Sequence, residues 1–149
     1  MTFFVAGTET VATTLCWALH LIAHNPDIAE RLRTEVDTVL GERAAGPEDM
    51  PRLKLTRQIL TETVRLWPAM LLFTRLVTRD ALLGGQDLPA GTVLLSSAAF
   101  AHYQGDLHCE PTRFDPDRWD PDSSRPPREG FLPFGTGASA SSTGSPKPP

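Results

Sequence analysis

Glu9 and Thr10 stand side by side in the first apolar stretch of the chain, an acid next to a hydroxyl. In a helix interior both are locally unfavourable, because threonine competes for backbone carbonyls and a buried acid needs a partner. Taken alone, the pair reads as a solvated helix face. One turn upstream, Ala6 and Gly7 are small enough to let a flat ligand approach the backbone.

Glu62 and Arg65 are three residues apart, so on a helix they share one face. An exposed pair at that spacing contributes only a few tenths of a kcal/mol, roughly. Here Ile59, Leu60, Val64, Leu66 and Trp67 surround the pair, which argues for partial burial. A buried guanidinium then wants further partners for its fork of donors. Arg75 alone reads as an exposed strand arginine. Cys109 is the only cysteine in the second half and reads as a buried or incidental thiol.

These residues need elements to hold them. Residues 3–23 read as a long helix, apolar on most sides and therefore buried on most sides. Asn25-Pro26-Asp27 is a helix start, with Asn25 as N-cap, and the second helix runs to about Leu40 with Gly41 as its C-cap. Ile28, Leu32, Val36, Val39 and Leu40 form its apolar stripe, and residues 42–52 read as a polar loop. A third helix covers about Leu55 to Leu66 and ends before Pro68. Leu71 to Val77 and Thr92 to Ser97 are strand-like, with turns at Gly84-Gly85 and Pro89-Ala90-Gly91. From about His102 the periodicity is lost, and nine of the 14 prolines lie from Pro111 onward. A long irregular segment of this kind is uncommon unless it is functional or disordered.

At 149 residues, one domain is expected. A composition of 40% hydrophobic and 21% charged residues is that of a soluble protein, and a net charge of −4 argues against nucleic acid as the main partner. Two cysteines are too few for a disulfide framework, so a cytoplasmic location is the expectation. The first stretch has no basic residue before Arg31, unlike a signal peptide, and Thr8, Glu9, Thr10, Thr13, Thr14 and His20 interrupt it, unlike a membrane span.

Four motifs follow one another: Ala6-Gly7-Thr8-Glu9-Thr10, Glu62-Thr63-Val64-Arg65, Pro111-Thr112-Arg113-Phe114 and Phe134-Gly135-Thr136-Gly137-Ala138. In this order and at these gaps they resemble the C-terminal part of a cytochrome P-450, a haem-thiolate monooxygenase. The resemblance covers residues 3 to about 138. It implies a mainly α fold with small β-sheets, and a partial domain over residues 1–138 running from the long central helix to the haem-binding loop. The implied parent is more than twice as long. It would bind heme b, take electrons from a ferredoxin or flavoprotein reductase, and insert one oxygen atom into a small apolar substrate.

The resemblance also assigns roles. Glu9 and Thr10 would be the catalytic pair that delivers protons during O–O cleavage. Ala6, Gly7, Phe134, Gly135 and Gly137 would border the haem. Arg75 would pair with a haem propionate and His102 could reach one, although Tyr103, Gln104, Gly105, His108 and Cys109 depart from the family's run. Glu62, Arg65 and Arg113 would form a structural triad locking the irregular loop; the family often has glutamate where Thr112 stands. Met70 to Phe73 would line the substrate side.

The match ends at Ala138. The family continues with arginine, any residue and cysteine, where this chain has Ser139, Ala140 and Ser141. Ser141 thus occupies the place of the iron ligand, leaving no metal ligand in the sequence. A neutral hydroxyl cannot supply the electron density of a thiolate. Residues 139–149 read as an irregular, disordered or frameshifted tail. Three readings stand: a monooxygenase relative inactive as written, a non-enzymatic remnant without haem, and an unrelated helical interaction module with a Pro-rich tail.

Overall fold

The computed structural model describes residues 2–123, 127 and 130–134, with the side chains of residues 2–6 left undescribed. Its elements are helix α1 (Thr2–Ala23), helix α2 (Pro26–Leu40), a 3-10 turn at Pro47–Asp49, helix α3 (Lys54–Leu66), strands β1 (Leu72–Leu76), β2 (Ala81–Leu83), β3 (Gln86–Leu88) and β4 (Val93–Ser97), helix α4 (Ala98–His102), and a second 3-10 turn at Pro116–Trp119. The expected mainly α architecture with small sheets is what forms.

Each helix boundary has a local cause. Pro26 opens α2, and Gly41 closes it at φ 59°, its amide donating to the Asp37 carbonyl. Asn25 does not cap α2 as expected; its amide Nδ2 donates to the Leu21 carbonyl at 2.7 Å, closing the end of α1 instead. The first turn of α3 has no capping side chain of its own. Glu35 of α2 supplies one, its two oxygens accepting from the amides of Leu55 at 2.6 Å and Thr56 at 2.9 Å. A carboxylate at the positive end of a helix is favourable, so this contact docks α2 on α3 in register. The loop between them folds around the carboxylate of Asp49, which is buried and takes hydrogen bonds from Arg43 at 2.7 Å and the Gly46 amide at 2.9 Å. Those bonds hold the Asp49 carboxyl down at about 2.

The strands make two separate two-stranded antiparallel sheets. β1 pairs with β4 from Leu72 opposite Ser97 to Leu76 opposite Val93. β2 and β3 form a tight hairpin, Ala81 opposite Leu88, around Gly84 and Gly85 at φ 58° and 79°; two positive φ values in a row are what a type I′ turn demands.

The core lies where α2, α3 and the irregular segment meet. Ile28, Leu55, Ile59, Leu66 and Phe114 form its buried cluster, with Leu21, Ile22 and Leu32 packed against it. The first helix departs from expectation. Of its described side chains only Ala18 is buried, while Val11, Leu15 and Leu19 are 58, 50 and 66% exposed. α1 packs against α3 and α2.

Candidate functional site

α3 has two working faces. Ile59 and Leu66 point to the core with Glu62 beside them, and Leu60 and Val64, one turn apart, look out on the opposite side. That outer side is one wall of an apolar groove of about 460 Å³. Thr10, Val11, Thr14 and Leu15 of α1 form the second wall, and Ala69, Met70, Pro133 and Phe134 complete it. Thr10 and Phe134, 124 positions apart by their numbers, thus border one space. Phe134 stands at its mouth, 84% exposed. Apolar walls carrying two threonine hydroxyls suit a flat apolar guest, oriented by a small number of polar groups.

Within α1 the Thr10 hydroxyl lies 3.4 Å from the Gly7 carbonyl, and Thr14 donates to the Thr10 carbonyl at 2.9 Å. Glu9 is exposed on the same helix. A Cβ added at Gly7 would meet nothing within 4 Å, so no packing among the described residues calls for glycine there. Ala6 lies in the helix but its side chain is outside the described residues, as are Gly135, Gly137, Ser141 and the whole 139–149 tail. Arg75 is exposed on β1 opposite Leu94 and does not line the groove. Of Met70 to Phe73, Met70 alone lines it.

Behind the groove, the inner side of α3 carries a fully buried polar node. Arg65 donates through Nε and Nη2 to the two oxygens of Glu62, at 2.8 and 2.7 Å. Its Nη1 donates to the carbonyls of His102 and Pro111, both at 2.7 Å, and Nη2 also to that of Arg113 at 3.3 Å. A guanidinium has five N–H donors, and all of them are used. Glu62 in turn accepts from the Asp115 amide at 3.2 Å, the Trp119 indole at 2.8 Å and Arg118 Nε at 3.4 Å. Neither side chain of the pair is exposed at all. The node fastens residues 102–119, which have almost no regular structure, to one helix.

The third arginine of this node is Arg118 and not Arg113. The Arg113 side chain turns outward to Glu110 at 2.9 Å, and only its carbonyl reaches the node. The reason is the second 3-10 turn, which presents Arg118 and Trp119 to Glu62, while Phe114 uses the preceding motif to enter the core. Pro116-Asp117-Arg118-Trp119 repeats the proline–arginine–aromatic spacing of Pro111-Thr112-Arg113-Phe114 and has an acid where the latter has threonine. That acid was the available signal. Replacing Arg118 by alanine is expected to cost about 1.5–3 kcal/mol of stability, the range for a hydrogen bond to a charged group, whereas Arg113→Ala should leave the urea midpoint unchanged within error. Equal effects would return the node to Arg113.

His102 is likewise corrected. Its ring is fully buried, Nδ1 faces the Arg65 carbonyl at 2.9 Å, and Nε2 accepts from the Leu132 amide at 2.9 Å. With both nitrogens engaged by backbone it cannot also hold a propionate. Tyr103 and His108, which break the family's run, are not idle: Tyr103 donates to the Leu66 carbonyl at 2.6 Å and His108 Nε2 to that of Gly130 at 2.7 Å. Cys109 is exposed rather than buried.

The family model described as Cytochrome P450 matches residues 1–140. The chain belongs to the cytochrome P450 family. The pentalenene oxygenase of Streptomyces avermitilis is 44% identical over 139 residues, covering 93% of this chain and 31% of that protein. The cyclooctat-9-en-7-ol 5-monooxygenase of Streptomyces melanosporofaciens is 40% identical, covering 93% and 30%. A zebra fish cytochrome P450 solved with progesterone superposes at a TM-score of 0.80 with 32% identity, over 91% of this chain and 31% of that one. The P450 fold class is therefore shown, and the unrelated helical module is set aside. The chain spans about 30% of the length of the curated relatives it matches. Among the described residues no helix is long and apolar enough to cross a membrane.

Proposed function

We propose that the chain carries the haem-facing helical scaffold of a P450 monooxygenase for small apolar organic substrates, and that as written it is not a catalyst. The groove that joins Thr10 to Phe134 is the observation that carries the first half. Its walls of Val11, Leu15, Leu60, Val64 and Met70 fit the face of a heme b, with the Thr10 hydroxyl beside it. The names of the two Streptomyces relatives support an apolar substrate, and electrons would come from a ferredoxin or flavoprotein reductase, as the family implies.

The donor set carries the second half. No cysteine follows Gly135 in the sequence, and Ser141 stands where the thiolate belongs. Serine stays a neutral hydroxyl, so the residues present fit the macrocycle's face but not its iron. No reaction step is assigned to Glu9 or Thr10 in a chain without that ligand.

Absorption spectra of the chain mixed with haemin, before and after reduction under carbon monoxide, test both halves. The expected result is a Soret band displaced from that of free haemin, with haem retained by the chain on gel filtration, but without the carbon monoxide shift that marks thiolate ligation. A thiolate-type band would overturn the second half; Cys16→Ala and Cys109→Ala would then show which of the only two thiols supplies it. A Soret band no different from that of free haemin, with no haem retained by the chain on gel filtration, would overturn the first half and favour the haem-free remnant. Re-reading the gene through codons 130–149 tests the frameshift separately: a Cys-Ile-Gly run in another frame would assign the lost ligand to the gene's parent.

A further inference from the structure

Gly130 to Leu132 lead directly into Pro133 and Phe134 of the groove, and two buried histidines hold them from opposite hydrogen-bonding roles. His108 Nε2 faces the Gly130 carbonyl at 2.7 Å, so that nitrogen carries the proton. His102 Nε2 faces the Leu132 amide at 2.9 Å, so that nitrogen carries none, and the His102 proton sits on Nδ1 toward the Arg65 carbonyl. Phe131, between them, stacks on the His102 ring with centroids 5.6 Å apart and leans on Trp119 at 4.6 Å. The chain passes so close that a Cβ on Gly130 would come within 3.1 Å of His108 Nε2. A side chain there would need the His108 ring to give by a few tenths of an ångström.

We infer that His102 and His108 are positioning residues that clamp Gly130 to Leu132, keep Pro133 and Phe134 in place as one wall of the groove, and release that wall when His102 takes up a second proton. The second proton would have to go on Nε2, where it would meet the Leu132 N–H donor to donor. One of the two must leave. His108 offers no relief, since its Nδ1 is buried with no hydrogen-bond partner among the described residues.

The surroundings set the direction. His102 faces Arg65 and Glu62 from α3 and His108 from its own segment; His108 faces Arg65, Glu62, Arg118 and the Gly130 carbonyl. Glu62, the one anion, is already engaged by Arg65, Arg118 and Trp119. Burial, above all, pushes both histidines below their ordinary value of 6.5. The clamped state thus prefers neutral rings. Its stability is fully present above 6.5 and is lost as the pH falls below it.

Amide hydrogen exchange on the full chain, read residue by residue by NMR, tests this without haem. The Leu132 protection factor is expected to fall about two- to tenfold between about pH 7.5 and about pH 5, the range that loss of a single intramolecular hydrogen bond gives. The amides of α2 should keep theirs. His102→Gln retains one donor and one acceptor but cannot titrate, and should make Leu132 protection independent of pH over that range. In the unaltered chain, ring nitrogen shifts should show His102 Nε2 gaining its proton at the midpoint of the Leu132 loss. Leu132 protection that persists in acid, falls together with α2, falls equally in His102→Gln, or falls without proton uptake at Nε2 would each overturn the inference.

Discussion

Arg65→Ala is expected to lower the unfolding free energy by about 3–5 kcal/mol, the range for removing one member of a buried ion pair. The magnitude follows from what is left behind. Glu62 would remain fully buried with Arg118 Nε at 3.4 Å as its nearest cation, and the carbonyls of His102, Pro111 and Arg113 would lose their donor. Glu62→Ala should cost a similar amount, because it strands the guanidinium and the Trp119 indole. Exchanging both partners for apolar residues is often neutral for an isolated buried pair. It should not be neutral here, since the buried His102 carbonyl would lose its donor and the part-buried carbonyls of Pro111 and Arg113 and the Trp119 indole would lose their partners. Arg65→Lys tests the geometry separately from the charge: an ammonium has three donors against the five used. Urea unfolding followed by circular dichroism gives the numbers. A loss below about 1 kcal/mol for Arg65→Ala would mean that the pair behaves like an exposed one and that residues 102–119 are held by something else.

Part of this node was legible in the sequence. The three-residue spacing of Glu62 and Arg65 amid apolar neighbours pointed to burial, and both are fully buried. The third arginine was not legible, because two proline–arginine–aromatic runs lie five residues apart and only the backbone decides which one faces Glu62. The decision falls at Asp115, whose carboxylate takes the Asp117 amide and starts the 3-10 turn. Asp117 then pairs with Arg31 of α2 at 2.6 Å, which fixes the turn against the helices. Both contacts join segments distant in sequence, or depend on a turn that periodicity cannot register.

The exposed faces of α1 teach a different limit. Val11, Leu15 and Leu19 are apolar at helical spacing, and pattern alone says that they should be covered. Pattern cannot say by what. In the structure the α1 surface facing α3 becomes a groove wall, and Trp17 lies flat on Trp67 with ring centroids 4.1 Å apart at 4°. Trp67, beyond the end of α3, thereby fixes the angle between the two helices that border the groove. His102 shows the reverse case: a residue type suited to a ligand is consumed by backbone partners, which only the three-dimensional path of residues 130–132 reveals.

Phe114→Ala is expected to cost about 3–5 kcal/mol, as deletion of a buried aromatic ring does. Phe114 is the one member of the buried cluster supplied by the irregular segment, packed with Ile28, Leu55, Ile59 and Leu66. Its neighbours in sequence are the node's own contacts: the Arg113 carbonyl accepts from Arg65 and the Asp115 amide donates to Glu62. The ring and the node therefore hold the same few residues from two sides. Emptying the ring's site should loosen those bonds, and breaking the node should let the ring shift. The double variant with Arg65→Ala should then cost less than the sum of the two single losses, by about 0.5–3 kcal/mol, the range for residues sharing one contact network. Simple addition of the two losses would mean that the segment is anchored twice independently. In that case the node would no longer explain why so irregular a stretch keeps one conformation beside the groove.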